Sequence, residues 1–403
     1  MARMSRTNVA AVVVLGIGLL LLVQYGCSTP KMGVVTVETS ETDDGYVLIA
    51  PYRIEADPTK SVSGSVQLIN RDGETVHTWK TEAPVLVADL KEDGTLYVSM
   101  TPPLNHGQMP GFGTTGIIQR LSWEGRVLFE HRDPEMTIDF DVLPDGSIAY
   151  LRWDETPSWF AQGVQGGFPT PAQSVWTNEI VIVTPDNEEV WSWHMSDHIS
   201  PSRLATAFAP RQDFSHANSI RYIEHNPLTH TPAFLVSVRH LSTVLLIDAA
   251  SGELLWESPE GLYSFQHDAT LLENGHLLVF DNGFARKNVS GLFSQVVEVA
   301  LPNGARVWGY DGGTTLTGKA QFASSIMGGA QRLPNGNTLI TLSTSGVVRE
   351  VTPEGNVAWE YRHTRHEDGS PGMLFRVRAY SPEGTQWGSE AAFSSFFAGF
   401  CSR

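Results

Sequence analysis

Two histidines and one arginine in the middle of the chain have side chains that could form a single polar site. His216 lies in the sequence SHANS, His267 lies in QHDA, and Arg286 follows the sequence FDNG. Two imidazoles and a guanidinium could bind a tetrahedral oxyanion such as sulfate. An imidazole could also act as a nucleophile or as a general acid or base. A single histidine in a turn is more often solvated or bonded to the backbone, so the case rests on the repeated pattern.

The segments that must position these residues are repeated along the chain. Each repeat combines a tight turn with a short β-rich run that ends in an aromatic residue. The aromatic positions are Trp79, Phe129, Trp191, Trp256, Trp308 and Trp359. A second pattern places Asp-Gly or Asn-Gly, which favour hairpin turns, after Leu90, Leu143, Leu271 and Leu333. Units of about 50 residues with two hairpins are typical of propeller blades, so the sequence predicts an all-β fold, a six-bladed β-propeller.

This fold brings the two histidines together, because each precedes the first strand of one of two neighbouring blades, and these strands line the central channel. Two longer gaps between repeats, residues 154–176 and 194–214, predict insertions that shape the mouth of the channel. Residues 375–381 are expected to return as a closing strand.

The first 27 residues differ from the rest of the chain. Arg3 and Arg6 precede an apolar run over residues 9–23, which is short for a membrane span, and Cys27 follows a glycine. The pattern predicts a signal peptide or membrane anchor over 1–27, with Cys27 as a candidate lipidation site. An uncleaved anchor and a freely secreted form are the alternatives. A linker over 28–45 and the propeller over 46–403 would follow, in the periplasm or at the cell surface and tethered to the membrane only by the N-terminus.

Charge and cysteine content exclude two classes of function. The net charge of −17 argues against nucleic-acid binding, which needs clustered Lys and Arg. An anionic substrate would therefore need a local basic site. The only cysteines are Cys27 and Cys401, and the absence of CxxC spacing excludes a cysteine-based zinc site.

Four stretches between Tyr46 and Tyr380 resemble the bacterial arylsulfotransferases, which are secreted six-bladed propellers that move a sulfuryl group from one phenol to another. They read HANS, SVRHLSTVLLID, QHDATLLENGHLLVFDNG and AQRLPNGNTLI. The resemblance implies a divergent member with a sulfo-histidine intermediate, ping-pong exchange, aryl sulfate and phenol as substrates, and no metal or nucleotide cofactor. It implies catalytic roles for His216, His267 and Arg286. It also implies supporting substrate contacts from Asn218, Arg239, His240 and Asn282.

One departure from the family pattern affects the choice of nucleophile. The better-known members carry a nucleophilic histidine on a later blade, whereas residues 321–331 read QFASSIMGGAQ here. Covalent transfer needs a nucleophile, so His267 or His216 would have to replace it. The alternative is a non-catalytic propeller that binds an anionic ligand or a partner protein, and a different hydrolase or lyase is a third possibility. Aromatic residues in or near the insertions could stack on a phenol or pack in the core; they are Trp153, Trp159, Phe160 and Trp176.

Overall fold

The computed structural model shows six antiparallel sheets that form the blades of a β-propeller, which confirms the predicted fold. It describes residues 33–37, 40–52, 62–102, 113–170, 174–203, 208–286, 293–363 and 372–380. The first strand of one blade packs beside the first strand of the next, so the first strands surround the channel. Leu-x-x-Asp-Gly and related turns join strands within the blades, as their turn chemistry predicts.

The strands of each blade follow one another in chain order from the channel outward, except for the first strand of blade 1 and the outermost strand of blade 6. The strands of blade 1 are Arg378–Tyr380, Tyr46–Ile49, Gly64–Ile69 and Thr75–Thr81. The strands of blade 2 are Val85–Leu90, Leu96–Met100, Ile117–Leu121 and Val127–Arg132. The strands of blade 3 are Met136–Val142, Ile148–Glu155, Trp176–Val183 and Glu189–His194.

The second half of the ring is built in the same way. The strands of blade 4 are Ala217–Ile223, Ala233–Val238, Thr243–Asp248 and Leu254–Glu257. The strands of blade 5 are His267–Leu271, Leu277–Asp281, Gln295–Ala300 and Ala305–Tyr310. The strands of blade 6 are Gly329–Arg332, Thr338–Leu342, Val347–Val351, Val357–Arg362 and Gly33–Val37. A short sheet pairs Pro51–Tyr52 with Met373–Leu374.

Both ends of the described chain contribute to closing the ring. The C-terminal strand Arg378–Tyr380 pairs with Tyr46–Ile49 and becomes the first strand of blade 1. The predicted closing strand is therefore observed as far as residue 380. At the other end, Gly33–Val37, within the stretch assigned to a linker, pairs with Val357–Arg362 as a fifth strand of blade 6. Backbone hydrogen bonds thus join both ends of the described chain to the blades that meet where the ring closes.

The repeated tryptophans connect one blade to the next. In five places an indole N–H in the fourth strand of a blade donates a hydrogen bond to a carbonyl in the last turn of the following blade. The pairs are Trp79 with Ser122, Trp193 with Gly252, Trp256 with Pro302, Trp308 with Pro353, and Trp359 with Arg71. In blade 3 this role falls to Trp193, whereas Trp191, the repeat position in the sequence, packs against Phe234. Tryptophan suits the position because it buries a large ring and still needs one acceptor.

Buried ion pairs cross the channel and hold the closing segment in place. Arg376 donates to both carboxylate oxygens of Asp139 at 2.7 Å. Arg378 donates to both oxygens of Asp268, at 2.6 and 2.9 Å. Arg221 joins the two carboxylates, with contacts of 3.0 Å to each. The segment that closes the ring is therefore tied to blades 3, 4 and 5 on the far side of the channel.

The two predicted insertions pack against each other. The first contains helix α1 (Ser158–Gly163), and the second contains the 3₁₀ turns Met195–Asp197 and Pro201–Arg203. Phe160 and Phe214, both fully buried, join the insertions edge to face at 5.2 Å. The remaining short helices are α2 (Leu316–Gln321) and the 3₁₀ turn Ser343–Ser345.

The predicted signal or anchor over 1–27 and the lipidation site Cys27 lie outside the described residues. These features, and the location outside the cytoplasm, stay predictions. Within the described ranges, no helix has the length and apolar character that a membrane crossing requires.

We expect Arg376→Met to destabilise the fold strongly. Its side chain is 4% exposed and Asp139 is fully buried, so the substitution leaves part of a buried carboxylate unpaired. Breaking such a pair typically lowers the free energy of unfolding by about 3–5 kcal/mol. Arg132→Met is the matched control, because Arg132 pairs with Glu82 and Glu130 at an exposed position, where about 0–1 kcal/mol is expected. Urea unfolding curves would measure both, and equal losses would contradict the role of the channel pairs.

Candidate functional site

His216 is oriented by a carboxylate from the end of the second insertion. It directly precedes the first strand of blade 4 and has a positive φ of 50°. Its Nδ1 lies 2.6 Å from Asp213 Oδ2. Because a carboxylate only accepts hydrogen bonds, Nδ1 donates, and in the neutral imidazole Nε2 carries the lone pair. In the described part of the chain no hydrogen bond reaches Nε2, and the side chain is 13% exposed. The free nitrogen is thus available to a ligand.

Asp213 is fixed in place by the packing of the two insertions. Trp176 N–H donates to the carbonyl of Gln212, and Phe214 N–H donates to the carbonyl of Trp176. Burial alone would raise the pKa of Asp213, but the adjacent His216 and other neighbours hold it below its ordinary value. The carboxylate is therefore ionised and suited to orient an imidazole.

His240 is a neutral histidine stacked on His216. The two ring centroids are 4.6 Å apart. His240 Nδ1 donates to the carbonyl of Asp213 at 2.7 Å, and its Nε2 accepts from Arg239 Nη1 at 2.8 Å. Burial lowers the pKa of His240 to about 3, so that only the uncharged form fits this geometry. His240 therefore holds both Asp213 and Arg239.

Arg239 is a buried cation without a carboxylate partner. Its residue is 9% exposed, and the guanidinium lies 4.7 Å from the centre of the Phe265 ring. No ion pair to Arg239 is found among the described residues, and its Nε is buried without a hydrogen-bond acceptor. Burial lowers its pKa to about 10. The negative charge of Asp213 partly opposes this effect without forming an ion pair with Arg239. A bound anion would therefore add the direct counter-charge and the hydrogen-bond acceptors that the guanidinium lacks.

His267 has both ring nitrogens engaged. Asn282 Nδ2 donates to the carbonyls of Ser324 and Met327, each at 2.7 Å, so the amide oxygen faces His267. His267 Nδ1 donates to this oxygen at 2.7 Å, and its Nε2 accepts from Met327 N–H at 3.2 Å. The residue is 2% exposed, and burial, followed by the charge of Arg239, holds its pKa well below the ordinary value. His267 is therefore neutral, and it is close enough to Arg239 for the two side chains to interact electrostatically.

The segment 321–331, which lacks the histidine of the family pattern, lies against His267. Met327, in a left-handed conformation with φ 57°, makes the contact. A Cβ added to Gly328 would lie 2.7 Å from the Phe280 ring, so this segment is closely packed. The sequence departure therefore falls at the site itself.

The other two predicted residues have different surroundings. Arg286 donates to Asp281 Oδ2 at 2.6 Å and lies 4.8 Å from the centre of the Phe293 ring, so it has an internal counter-ion. Asn218 is fully buried and donates to the carbonyl of Gln266 at 2.8 Å, beside His267, while its Oδ1 has no partner in the described chain.

The structure thus groups His216, Arg239 and His240, with His267, Asn282 and Asn218 beside them, whereas Arg286 is bonded to its own carboxylate. Sequence reasoning gave no role to Asp213. The available signal was an aspartate three residues before a histidine, in DFSH. We define Asp213, His216, Arg239 and His240 as the His216 cluster.

Aromatic side chains flank the His216 cluster on two sides. The Trp153 ring lies 6.0 Å from His216, edge to face. On the other side, Phe265 under Arg239 contacts Phe284 at 5.3 Å, and Phe284 contacts Phe208 at 5.9 Å. Phe208 is 60% exposed, so this row leads from the surface to Arg239. Of the other predicted aromatics, Phe160 and Trp176 are buried and Trp159 is exposed.

The His216 cluster suits an anion better than a metal ion. Asp213, His216 and His240 offer ligand atoms within 4.8 Å of one another. However, Arg239 Nη1 lies 2.8 Å from His240 Nε2 and would repel a dication.

Comparison with known proteins gives one family match and several structural likenesses. The family described as Arylsulfotransferase (ASST) matches residues 103–364. A protein of unknown function from Bacteroides caccae is 15% identical with a TM-score of 0.52, and the match covers 84% of this chain and 99% of that one. A streptogramin B lyase is 13% identical with a TM-score of 0.45, covering 83% and 98% of the two chains. A virginiamycin B lyase from Staphylococcus aureus is 12% identical with a TM-score of 0.43, covering 83% and 89%. At these identities the likeness shows the fold alone. No curated protein matches at a significant level.

The neutral buried histidines predict that stability falls as the solution becomes acidic. The pKa of His240 is lowered to about 3, so the unfolded chain binds its proton near pH 6.5 and the folded chain does not. Above pH 6.5 the histidine is neutral in both states, and the free energy of unfolding has its full value. As pH falls below 6.5, that free energy decreases by about 1.4 kcal/mol per pH unit for each such group. His240→Gln should lower the slope of unfolding free energy against pH by about that amount between pH 6 and 4. Urea unfolding at several pH values measures this slope, and an unchanged slope would contradict a neutral His240.

Proposed function

The chain belongs to the arylsulfotransferase family, and on that premise we propose that it transfers a sulfuryl group from an aryl sulfate to a phenolic acceptor at the His216 cluster. Family membership supports sulfuryl transfer in general, with small aryl sulfates and phenols as substrates. The cluster supports a specific distribution of roles among the residues of this chain.

One observation carries the proposal: among the described residues, Arg239 is buried without a direct ion pair, beside a histidine whose Nε2 accepts no hydrogen bond. A sulfate ester is an anion with three oxygens that accept hydrogen bonds. Arg239 would bind these oxygens and neutralise the charge that develops on them during transfer. Preorganised charge of this kind is usually the largest single contribution to catalysis.

In the first step, we assign His216 as the nucleophile. The lone pair of Nε2 attacks sulfur and forms an N–S bond, while the S–O bond to the aryl group breaks. The electron pair of that bond leaves with the phenolate, which takes a proton from water. Asp213 accepts the hydrogen bond from Nδ1 throughout, which fixes the tautomer and stabilises the positive charge on the sulfo-imidazole.

In the second step, the oxygen of the acceptor phenol attacks the sulfur of the sulfo-histidine. An O–S bond forms, the N–S bond breaks, and its electron pair returns to Nε2 of His216. The phenolic proton passes to water. Donor and acceptor use the same site in turn, and Trp153 or the row from Phe208 to Phe265 would stack on their rings. Neither step uses a metal or a nucleotide.

His267 and Arg286 are positioning residues in this proposal. The lone pair of His267 Nε2 is already hydrogen-bonded to Met327 N–H, so His267 would need to break that contact to attack. Arg286 holds Asp281, which also accepts from the backbone N–H of Ser264 and Gly283. His267 and Arg286 therefore hold in place the segments that lie beside the His216 cluster.

We expect His216→Ala to abolish transfer and Arg239→Met to lower kcat/KM by about 10²–10³-fold, the loss typical of removing one stabilising group from a charged transition state. The assay follows release of a chromogenic phenol from an aryl sulfate, with and without a phenolic acceptor. Release that depends on the acceptor indicates transfer.

Arg132→Met serves as the control, because that arginine lies in an exposed ion pair on blade 2. Full activity of Arg239→Met would contradict the assignment. Absence of turnover in the folded wild-type protein, together with binding of aryl sulfate, would favour the non-catalytic alternative.

A further inference from the structure

Three side chains from neighbouring strands of blade 3 meet where both insertions begin. Asp154 is the next-to-last residue of the strand that leads into the first insertion. His194 ends the strand that leads into the second, and Glu179 lies on the strand between them. Glu179 pairs in register with both His194 and Arg152. Since side chains two residues apart share a face of a sheet, Asp154 lies on the same face as Arg152, and all three side chains converge.

The distances among these side chains match those between the ligands of one small metal ion. His194 Nδ1 is 3.1 Å from Asp154 Oδ2 and 3.4 Å from Glu179 Oε2. One ligand atom from each residue lies within 4.8 Å of the others. In tetrahedral coordination with bonds of 2.0–2.2 Å, neighbouring ligand atoms are about 3.3–3.6 Å apart. Small side-chain adjustments would complete the geometry.

Glu179 provides an independent indication of a ligand. Its side chain is 5% exposed, and Oε2 is buried without a hydrogen-bond partner in the described chain. Oε1 accepts from Arg152, so the unsatisfied oxygen is the one that faces His194. Burial raises the pKa of Glu179. A buried carboxylate oxygen that accepts no hydrogen bond is costly, and a bound cation would remove that cost.

The charge around the three side chains favours a cation. Three carboxylates, those of Asp133, Glu179 and Glu189, contact the guanidinium of Arg152, and a fourth, that of Asp154, contacts His194. Arg152 is bonded to Asp133, Glu189 and Oε1 of Glu179, so it leaves the side toward His194 open. The His216 cluster differs in this respect, because there a guanidinium that forms no ion pair with any described residue adjoins the histidines.

We propose that Asp154, Glu179 and His194 bind one divalent transition-metal ion, with Zn²⁺ as the best fit. One imidazole and two carboxylates are typical Zn²⁺ ligands, whereas Ca²⁺ and Mg²⁺ prefer sites made of oxygen alone. His194 is 45% exposed, so water fills the fourth position. The ion clamps together the starts of both insertions, and the second of these ends at Asp213. Its role is structural and separate from the transfer chemistry.

The test is calorimetric titration of Zn²⁺ into the full chain, purified without a polyhistidine tag and treated with a chelator. We expect one Zn²⁺ per chain and a higher melting temperature with the ion bound. Both His194→Gln and Glu179→Gln should weaken binding by at least about tenfold, since even the loss of a residue that only supports a ligand costs 10–100-fold. Co²⁺ as a probe should give the visible absorption of a tetrahedral site, lost in His194→Gln.

The matched control is His276→Gln, because His276 Nδ1 also lies near a carboxylate, Glu298 Oε1, at 2.8 Å, but in the described chain no third ligand joins them. This variant and His216→Gln should bind Zn²⁺ like the wild type. The proposal is overturned if the wild type binds no Zn²⁺, if His194→Gln keeps full affinity, or if affinity falls only in His216→Gln. His194 is partly exposed, so its substitution should leave the fold intact even where Glu179→Gln does not.

Discussion

The ion pairs that cross the channel are the constraint on which the rest of the structure depends. Arg376 and Arg378 come from the closing segment and reach Asp139 on blade 3 and Asp268 on blade 5. Asp268 directly follows His267 and also accepts from the backbone N–H of Ala330 on blade 6. Because buried charges are stable only when paired, the same ion pairs that hold the closing segment also hold the strand that begins at His267. At the outer edge of the propeller, the tryptophan hydrogen bonds join neighbouring blades.

The candidate site combines parts of several blades, and one of its charges lacks a partner. Asp213 arrives through the insertion after blade 3, while His216, Arg239 and His240 belong to blade 4. His267 begins blade 5 and is held by the entry to blade 6. The channel arginines all have carboxylates, and so does Arg286. Arg239 contacts a neutral imidazole and an aromatic face, and among the described residues it has no direct ion pair, although the charge of Asp213 is close enough to act on it. A bound anion would therefore stabilise Arg239, whereas the arginines in the channel are already paired with carboxylates.

The fold was predictable because its signals are local and repeated. Hairpin turns and a recurring aromatic identify four strands per unit, and counting them gives six blades. The partner of each tryptophan is a carbonyl on another blade, however, so the sequence could not distinguish Trp191 from Trp193. His216 and His267 were found from their position before first strands. The unpaired state of Arg239 and the role of Asp213 depend on how the insertions pack. The proximity of Asp154, Glu179 and His194 depends on the register of three strands.

The central claim is that His216 carries the sulfuryl group between the two half-reactions. The most direct measurement is to incubate the protein with an aryl sulfate in the absence of acceptor, denature it rapidly at alkaline pH, and map the modified peptide by mass spectrometry. The account predicts one added sulfuryl group on the peptide that contains His216, and its loss when a phenol is added before denaturation. A sulfuryl group on His267, or phenol release without any modified histidine, would contradict it.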